Sequence, residues 1–128
     1  MDPGSYRTNS LCVIDIRKTL IDMLVVFTTA PDIWEAESLA EKLVKERLAA
    51  CVQVLPQMTS FYFWEGEVQK EGEHLMLIKT DDAKFDALKN FIQQNHSYEV
   101  PEIVAIKSDE ASQPYIDWIE SYLKPQFK

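Results

Sequence analysis

Apolar residues follow two different spacings along this chain, and the change between them predicts the first elements. Residues 24–29 form a short, β-branched apolar run that is typical of a buried strand. Asp32 and Glu35 then have the spacing of a capping box, which indicates the start of a helix. Its apolar stripe, at intervals of three and four residues, consists of Ala36, Leu39, Ala40, Leu43, Val44 and Leu48. The pattern therefore opens with a strand followed by an amphipathic helix.

The longest β-rich stretch, residues 50–80, is apolar on both of its faces. Residues 61–64 are aromatic at every position and residues 75–78 are apolar at every position. Because successive side chains of a strand point to opposite faces, both faces of this hairpin must be covered at its centre. The chain can reverse at Gly66, since glycine tolerates the positive φ of a tight hairpin. Pro56 lacks a backbone donor and predicts a bulge in the first strand.

The remaining segments predict two helices and one more strand. Asp81 and Asp82 precede a helical stripe that ends near His96, and residues 103–106 form an apolar run. Ser112 precedes a last helix, whose stripe consists of Tyr115, Trp118, Ile119, Tyr122 and Leu123. The order β-α-β-β-α-β with an extra C-terminal helix predicts an α+β, ferredoxin-like split βαβ fold with a long central hairpin.

This fold would leave one face of its sheet largely bare. Right-handed crossovers place both main helices on the same face. The last helix can cover only part of the other face, although the central strands are apolar there too. Soluble monomers rarely expose such a patch, so the pattern predicts self-association.

Residues 1–22 do not fit this pattern. The apolar run of residues 11–14 is too short for the hydrophobic core of a signal peptide. We therefore expect residues 1–22 to be an N-terminal tail or a remnant of expression, and residues 23–128 to form the domain.

The charge and the cysteine content argue against several classes of protein. There are 13 basic and 21 acidic residues, so the formal net charge is 13 − 21 = −8. This balance argues against a nucleic-acid partner, which requires a basic surface. No apolar run is long enough to span a membrane. Cys12 and Cys51 form no close pair, which favours a reducing, cytoplasmic setting over a disulfide-bonded one.

Catalytic motifs are missing from the sequence. There is no glycine-rich phosphate loop, nucleophile elbow or zinc-protease motif, so we expect no enzymatic activity. The acidic residues of the hairpin, Glu65, Glu67, Glu71 and Glu73, are interpreted as solvating and protecting its edge. His74 shares a strand face with Met76 and Ile78 and is interpreted as a packed or interface histidine.

His96 allows two interpretations. At the end of the second helix, its side chain can interact favourably with the last carbonyl groups. However, Tyr98, Glu99 and Glu102 follow within a few residues, and imidazole with carboxylate suits a divalent transition metal. Helix capping and metal binding both remain open from spacing alone.

The segment His96–Glu102, with the sequence HSYEVPE, resembles the HPYEVPE motif of the CutA family, the divalent-cation tolerance proteins. Further similar segments follow in family order from about Met23 to the C-terminus. They are Thr29–Pro31, Ala49–Val52, Trp64–Gly66, Ile78–Thr80 and Tyr115–Trp118. Together these segments are a specific match.

The resemblance implies a homotrimer in which long hairpins pack sheet against sheet, with Phe61, Phe63 and Trp64 at the interface. It also implies tolerance of copper or another divalent cation, bound weakly, and no established reaction. The metal contacts implied by position are Cys51, His96 and Glu99, with Tyr98 and Glu102 lining the same intersubunit cleft.

Three positions depart from the family pattern. Ser97 replaces the motif's proline, and Gln57 stands where glycine is usual. Thr28 occupies a position where some bacterial members have cysteine, so a site that needs several thiolates would be incomplete here.

Two other functions remain possible for a trimer of this fold. One is a small-molecule sensor similar to the trimeric PII proteins, which hold a nucleotide between subunits. The acidic balance and the lack of a glycine-rich loop argue against it. The other is a scaffold whose trimer is itself the function.

Overall fold

A four-stranded antiparallel sheet with strand order β2-β3-β1-β4 organises the fold. The computed structural model describes residues 22–124, so the expectation for residues 1–22 falls almost entirely outside the described range. The elements in chain order are β1 (Met23–Ala30), α1 (Ile33–Lys45), β2 (Cys51–Trp64), β3 (Glu67–Asp81), α2 (Phe85–Asn95), β4 (Val104–Lys107) and α3 (Gln113–Leu123). The predicted ferredoxin-like split βαβ arrangement with an additional C-terminal helix is confirmed.

The starts of α1 and α3 lie where the sequence predicts them, but the start of α2 does not. Asp81 and Asp82 were expected to cap α2, whereas its N-cap is Lys84 and Asp81 accepts the Lys84 N–H in the turn before the helix.

Asp32 caps α1, with its side chain accepting from the backbone N–H of Glu35 at 2.8 Å. Glu35 instead accepts a bond from the backbone of Ser97, so the second half of the expected capping box is used elsewhere. Ser112 is at the N-cap of α3, but its side chain makes no capping bond.

The long hairpin has the predicted turn and the predicted bulge. Glu65 and Gly66 have φ angles of 52° and 84°, so both central turn residues have the positive φ of a tight hairpin. The register of β2 against β3 shifts between Val54 and Gln57, where Pro56 interrupts the ladder. His74 hydrogen-bonds the carbonyl of Leu55 through Nδ1 at 2.9 Å, and it is buried as expected.

The two faces of the sheet are covered unequally. The helical face buries Val26, Met76 and Ile78 against α1 and α2. On the opposite face, Phe27 is paired across the strands with Leu77 and Val104. Val104 and Ile106 are 50% and 54% exposed. The surface formed by Phe27, Leu77, Val104 and Ile106 is called the open face below.

Helix α3 covers only one end of the opposite face, as predicted. Ile119 and Leu123 are buried against Ala50, with Met23 packed beside them. The ammonium of Lys79 lies 5.9 Å from the ring centre of Tyr115. The open face lies outside this cluster of Ile119, Leu123, Ala50 and Met23.

The hairpin projects past the rest of the sheet. Pairing between β1 and β3 ends at Ala30 and His74, so β2 and β3 continue beyond that point as a two-stranded ribbon. Within that ribbon Phe61, Phe63 and Trp64 are 66%, 70% and 60% exposed. The aromatic segment is therefore open to contact with another surface.

Candidate functional site

The loop after α2 is held against β1 by His96. Its Nε2 lies 2.6 Å from the carbonyl oxygen of Thr29, and its Nδ1 accepts the backbone N–H of Tyr98 at 3.0 Å. These partners assign the neutral form with the proton on Nε2, because a carbonyl can only accept and the Tyr98 N–H can only donate. The imidazole side chain is fully buried. It bonds β1 rather than the last carbonyl groups of α2, so simple helix capping does not describe its role.

Glu35 holds the same loop from the side of α1. Its Oε2 accepts the backbone N–H of Ser97 at 2.8 Å and lies 3.5 Å from Nδ1 of His96. Sequence reasoning missed this role because the spacing from Asp32 to Glu35 had already assigned Glu35 to the helix cap. No local pattern connects α1 with a loop about sixty residues later.

Glu73 is buried, which the sequence did not predict. It is only 8% exposed, and its Oε2 accepts from the hydroxyl of Tyr98 at 2.8 Å and from Thr29 Oγ1 at 3.4 Å. The interpretation of Glu73 as a solvated hairpin carboxylate is therefore wrong. It lies two residues before Leu75 on the same strand, where alternation places it on the face opposite the helices.

The phenol of Tyr98 remains a hydrogen-bond donor at neutral pH. Burial raises its pKa above the ordinary value of 10.0, and the hydrogen bond to Glu73 and the charge of that carboxylate raise it further. Tyr98 also lies against His96, with ring centres 4.9 Å apart. Tyr98 thus connects the loop to Glu73.

These contacts form one wall of a cleft of about 730 Å³ between the loop and the hairpin. Its aromatic lining consists of Phe61, Tyr62, Trp64 and Tyr98. Its acidic lining consists of Glu73, Glu99 and Glu102. Tyr98 and Glu102 both line this cleft within one chain, whereas the resemblance implied a cleft between subunits. Among the described lining residues there is no lysine, arginine or histidine.

The ribbon presents its aromatic residues to two sides. Tyr62 and Trp64 pair with Gln69 and Glu67, which share the strand face of Glu73. Phe61 and Phe63 pair with Lys70 and Val68, whose side chains alternate to the other face. Phe61 nevertheless lines the cleft together with Tyr62 and Trp64, whereas Phe63 does not line it and is available for a different contact.

The three expected metal contacts are not gathered in one place. Cys51 is a free thiol opposite Lys79, and Lys79 also pairs with Val25. His96 instead contacts Thr29, four residues further along β1, which is a separation of roughly 13 Å along the strand. Glu99 lines the cleft, whereas Cys51 does not. Within residues 22–124 no three Cys, His, Asp or Glu side chains form a group able to hold a metal ion.

In the described range, no helix is long and apolar enough to cross a membrane.

Comparison with known proteins identifies one family. Residues 24–122 match the family model described as CutA1 divalent ion tolerance protein. The chain is 45% identical over 95 residues to a divalent-cation tolerance protein CutA of Thermus thermophilus, which is 74% of this chain and 92% of that protein. It is 37% identical over 117 residues to the chloroplastic protein CutA 1 of Oryza sativa, which is 91% of this chain and 66% of that protein.

Solved structures give the same result. The crystal structure of CutA1 from Oryza sativa has a TM-score of 0.80 at 35% identity and covers 83% of this chain and 97% of that chain. The periplasmic divalent cation tolerance protein CutA of Archaeoglobus fulgidus has a TM-score of 0.78 at 33% identity, covering 80% and 99%. The aligned part of this chain spans only 52% to 66% of the length of its mammalian and plant relatives.

Proposed function

The chain belongs to the CutA1 family of divalent ion tolerance proteins, and from that membership we propose a homotrimer without catalytic activity that binds or responds to divalent cations, copper in particular. The Thermus thermophilus relative bears the name divalent-cation tolerance protein. Family membership is the observation on which the proposed function rests.

The trimer is supported by two exposed apolar surfaces. The open face leaves Val104 and Ile106 half exposed beside Phe27. The ribbon exposes Phe61, Phe63 and Trp64, the residues expected at the interface. Burying one aromatic side chain contributes about 2–3 kcal/mol, so repeated burial in three subunits would stabilise an assembly strongly.

The proposed metal contacts fit poorly within one chain. Both ring nitrogens of His96 already have hydrogen-bond partners, so His96 can bind a metal only if its bond to Thr29 or to Tyr98 is given up. The Cys51 thiol and the exposed Glu99 carboxylate could bind a metal without breaking either of these two hydrogen bonds. The proposal therefore places the cation at contacts completed by a second subunit, with His96 joining only if the loop opens.

A copper titration tests this proposal. All proteins should have Cys12 replaced by serine, because that thiol could bind copper by itself. In this background the unsubstituted protein is compared with Cys51→Ser, Glu99→Gln and His96→Ala. Thiolate and imidazole both favour copper, and few ligands per subunit predict micromolar rather than tighter affinity. We expect Cys51→Ser to weaken binding most and Glu99→Gln to weaken it less.

The matched control is Glu67→Gln, an exposed carboxylate next to the hairpin turn that does not line the cleft. It should leave the copper isotherm unchanged. If all of the variants bind copper equally, the copper lies elsewhere and a trimeric scaffold becomes the better account. Since His96→Ala also removes two loop contacts, its result counts only if the circular dichroism spectrum matches that of the parent.

A cytoplasmic location and the lack of a reaction are part of the same proposal. Cys51 is unpaired and partly buried in the described chain, which suits a reducing compartment. Relatives are named for the chloroplast and the periplasm, so the family occurs in several compartments. Fractionation of the native source would locate this member.

The sensor alternative receives no support from the cleft. Three carboxylates line it, and the described lining contains no basic side chain. A nucleotide phosphate placed there would meet charge of the same sign. Calorimetric titration with a nucleotide should therefore show no binding, and micromolar binding would favour the sensor.

A further inference from the structure

The loop after α2 is attached to three different elements by the three residues with which it begins. His96 bonds β1 through its ring, Ser97 bonds α1 through its backbone N–H, and Tyr98 bonds β3 through its hydroxyl. These contacts are made within one chain, so they do not depend on the state of assembly. Glu99 follows directly, and its position therefore depends on where these three residues are held.

The attachment of Ser97 to α1 is a hydrogen bond to a carboxylate. Glu35 Oε2 accepts the Ser97 N–H at 2.8 Å, and the Glu35 side chain is only 19% exposed. Hydrogen bonds to a charged acceptor stabilise a fold more than those between neutral groups. Glu35 also lies in the first turn of α1, where the helix dipole favours a negative charge. The carboxylate is therefore a strong acceptor at this place.

Ser97 is also the position at which this chain departs from the proline of the similar motif. Because proline has no backbone N–H, the bond to Glu35 could not form if proline stood here. The proline ring fixes φ by itself, whereas serine leaves the backbone more freedom. The serine therefore removes a local restraint on the loop and supplies the donor for a restraint from α1.

We propose that Glu35 is a positioning residue for this loop. Through the Ser97 N–H it takes over the restraint that a proline would provide, and it thereby sets where Glu99 lies. The positioning itself does not require a metal. Only its consequence for Glu99 as a cation contact rests on the proposed function.

Hydrogen exchange of the Tyr98 amide, measured by NMR on the full chain without metal, tests the positioning. That N–H donates to His96 Nδ1, so it exchanges only when the start of the loop opens. Glu35→Ala removes the acceptor but keeps the cap of α1, which uses the Glu35 backbone. We expect Tyr98 to exchange about tenfold faster in Glu35→Ala, because a charged hydrogen bond is lost. Glu35→Gln keeps an acceptor and should restore most of the protection.

A proline variant shows whether Glu35 acts through the Ser97 N–H. In the background of Ser97→Pro the donor is missing, so Glu35→Ala should then change the Tyr98 exchange rate by less than about twofold. Ser97→Ala is the matched control, because it removes the hydroxyl but keeps the N–H. Glu37→Ala is a second control, since Glu37 is an exposed carboxylate of the same helix. Both controls should exchange like the parent.

The proposal is overturned if Glu35→Ala leaves the exchange of Tyr98 unchanged, or if its effect is the same with and without Ser97→Pro. It is also overturned if Glu35→Gln exchanges as fast as Glu35→Ala. In that case the charge near His96, rather than the bond to Ser97, would be responsible. If Ser97→Pro does not fold, the comparison of Glu35→Ala with Glu35→Gln decides.

A copper titration of Glu35→Ala keeps this inference apart from the proposed function. The proteins again have Cys12 replaced by serine. We expect copper to bind about threefold more weakly, because Glu99 is no longer held in place before it binds. Faster Tyr98 exchange with unchanged copper binding would support the positioning and contradict Glu99 as a copper contact. Unchanged exchange would refute the positioning whatever the copper result.

Discussion

At the scale of single residues, the contact between Tyr98 and Glu73 joins the loop to the hairpin. The Tyr98 hydroxyl donates to Glu73 at 2.8 Å, and Thr29 donates to the same carboxylate oxygen. His96 holds the backbone of that loop against β1. Two side chains from distant parts of the sequence, Tyr98 and Thr29, therefore meet at the buried carboxylate of Glu73.

Tyr98→Phe should change how stability depends on pH. In the unfolded chain a tyrosine ionises near pH 10, whereas in the fold burial and Glu73 raise the pKa of Tyr98. Above about pH 10 the unfolded chain loses a proton that the native state keeps. The contribution of the Tyr98 phenol to the free energy of unfolding is therefore fully present below that pH and is lost as the pH rises further. Urea unfolding from pH 7 to 11 should show a shallower alkaline decline in Tyr98→Phe.

The same variant should also lose about 1 kcal/mol at neutral pH, because Glu73 loses a donor. Thr29→Val is the matched control, since it removes the other donor to Glu73 but no titrating phenol. Its alkaline decline should equal that of the parent. An identical decline in Tyr98→Phe and the parent would show that this phenol does not contribute to the effect.

At the scale of elements, the N-caps of α1 and α3 are both short polar residues but differ in their hydrogen bonds. Asp32 accepts the Glu35 N–H, whereas the side chain of Ser112 makes no capping bond at α3. Pro114 lies in the first turn of α3, where its missing N–H leaves one donor fewer to satisfy. Asp32 therefore stabilises its helix by a side-chain capping bond, whereas Ser112 does not.

Asp32→Ala should lower the free energy of unfolding by about 1 kcal/mol, because an unpaired N–H of α1 replaces a capping bond. Ser112→Ala is the matched control and should change it by less than about 0.5 kcal/mol. Denaturant unfolding of both variants measures the difference. Equal losses of unfolding free energy in the two variants would contradict a stabilising role of the Asp32 capping bond.

At the scale of the whole molecule, the open face and the exposed ribbon are apolar surfaces that residues 22–124 of one chain leave uncovered. Val104 and Ile106 are half exposed, and Phe63 is 70% exposed. Patches of this kind on soluble proteins usually mark an interface. The proposed trimer would cover them by contact with other copies.

Phe63→Ala should weaken that trimer and lower its melting temperature. Phe63 does not line the cleft, so the variant tests assembly apart from ligand binding. Trp34→Ala is the matched control, because Trp34 is an aromatic residue that is 78% exposed but belongs to α1 rather than to the ribbon. Light scattering at micromolar concentration should give a trimer for the parent and for Trp34→Ala. A monomeric parent would refute the assembly.

The sequence by itself determined the order of elements, the hairpin turn and the bulge, because these depend on neighbouring residues. The apolar spacing of α1, the positive φ at Gly66 and the missing donor at Pro56 are local properties. The apolar character of both sheet faces was also readable, since alternation along a strand is local. The family motif around His96 likewise lies within seven consecutive residues.

Only the tertiary structure decided which side chains form the cleft. Glu35 and Ser97 are 62 positions apart, and Glu73 and Thr29 are 44 apart. No periodicity links such positions, because their contact depends on how the loop after α2 crosses the end of β1. Burial of Glu73 and the separation of Cys51 from His96 follow from the same packing. A local pattern specifies an element and its faces, whereas a site depends on the distances between elements.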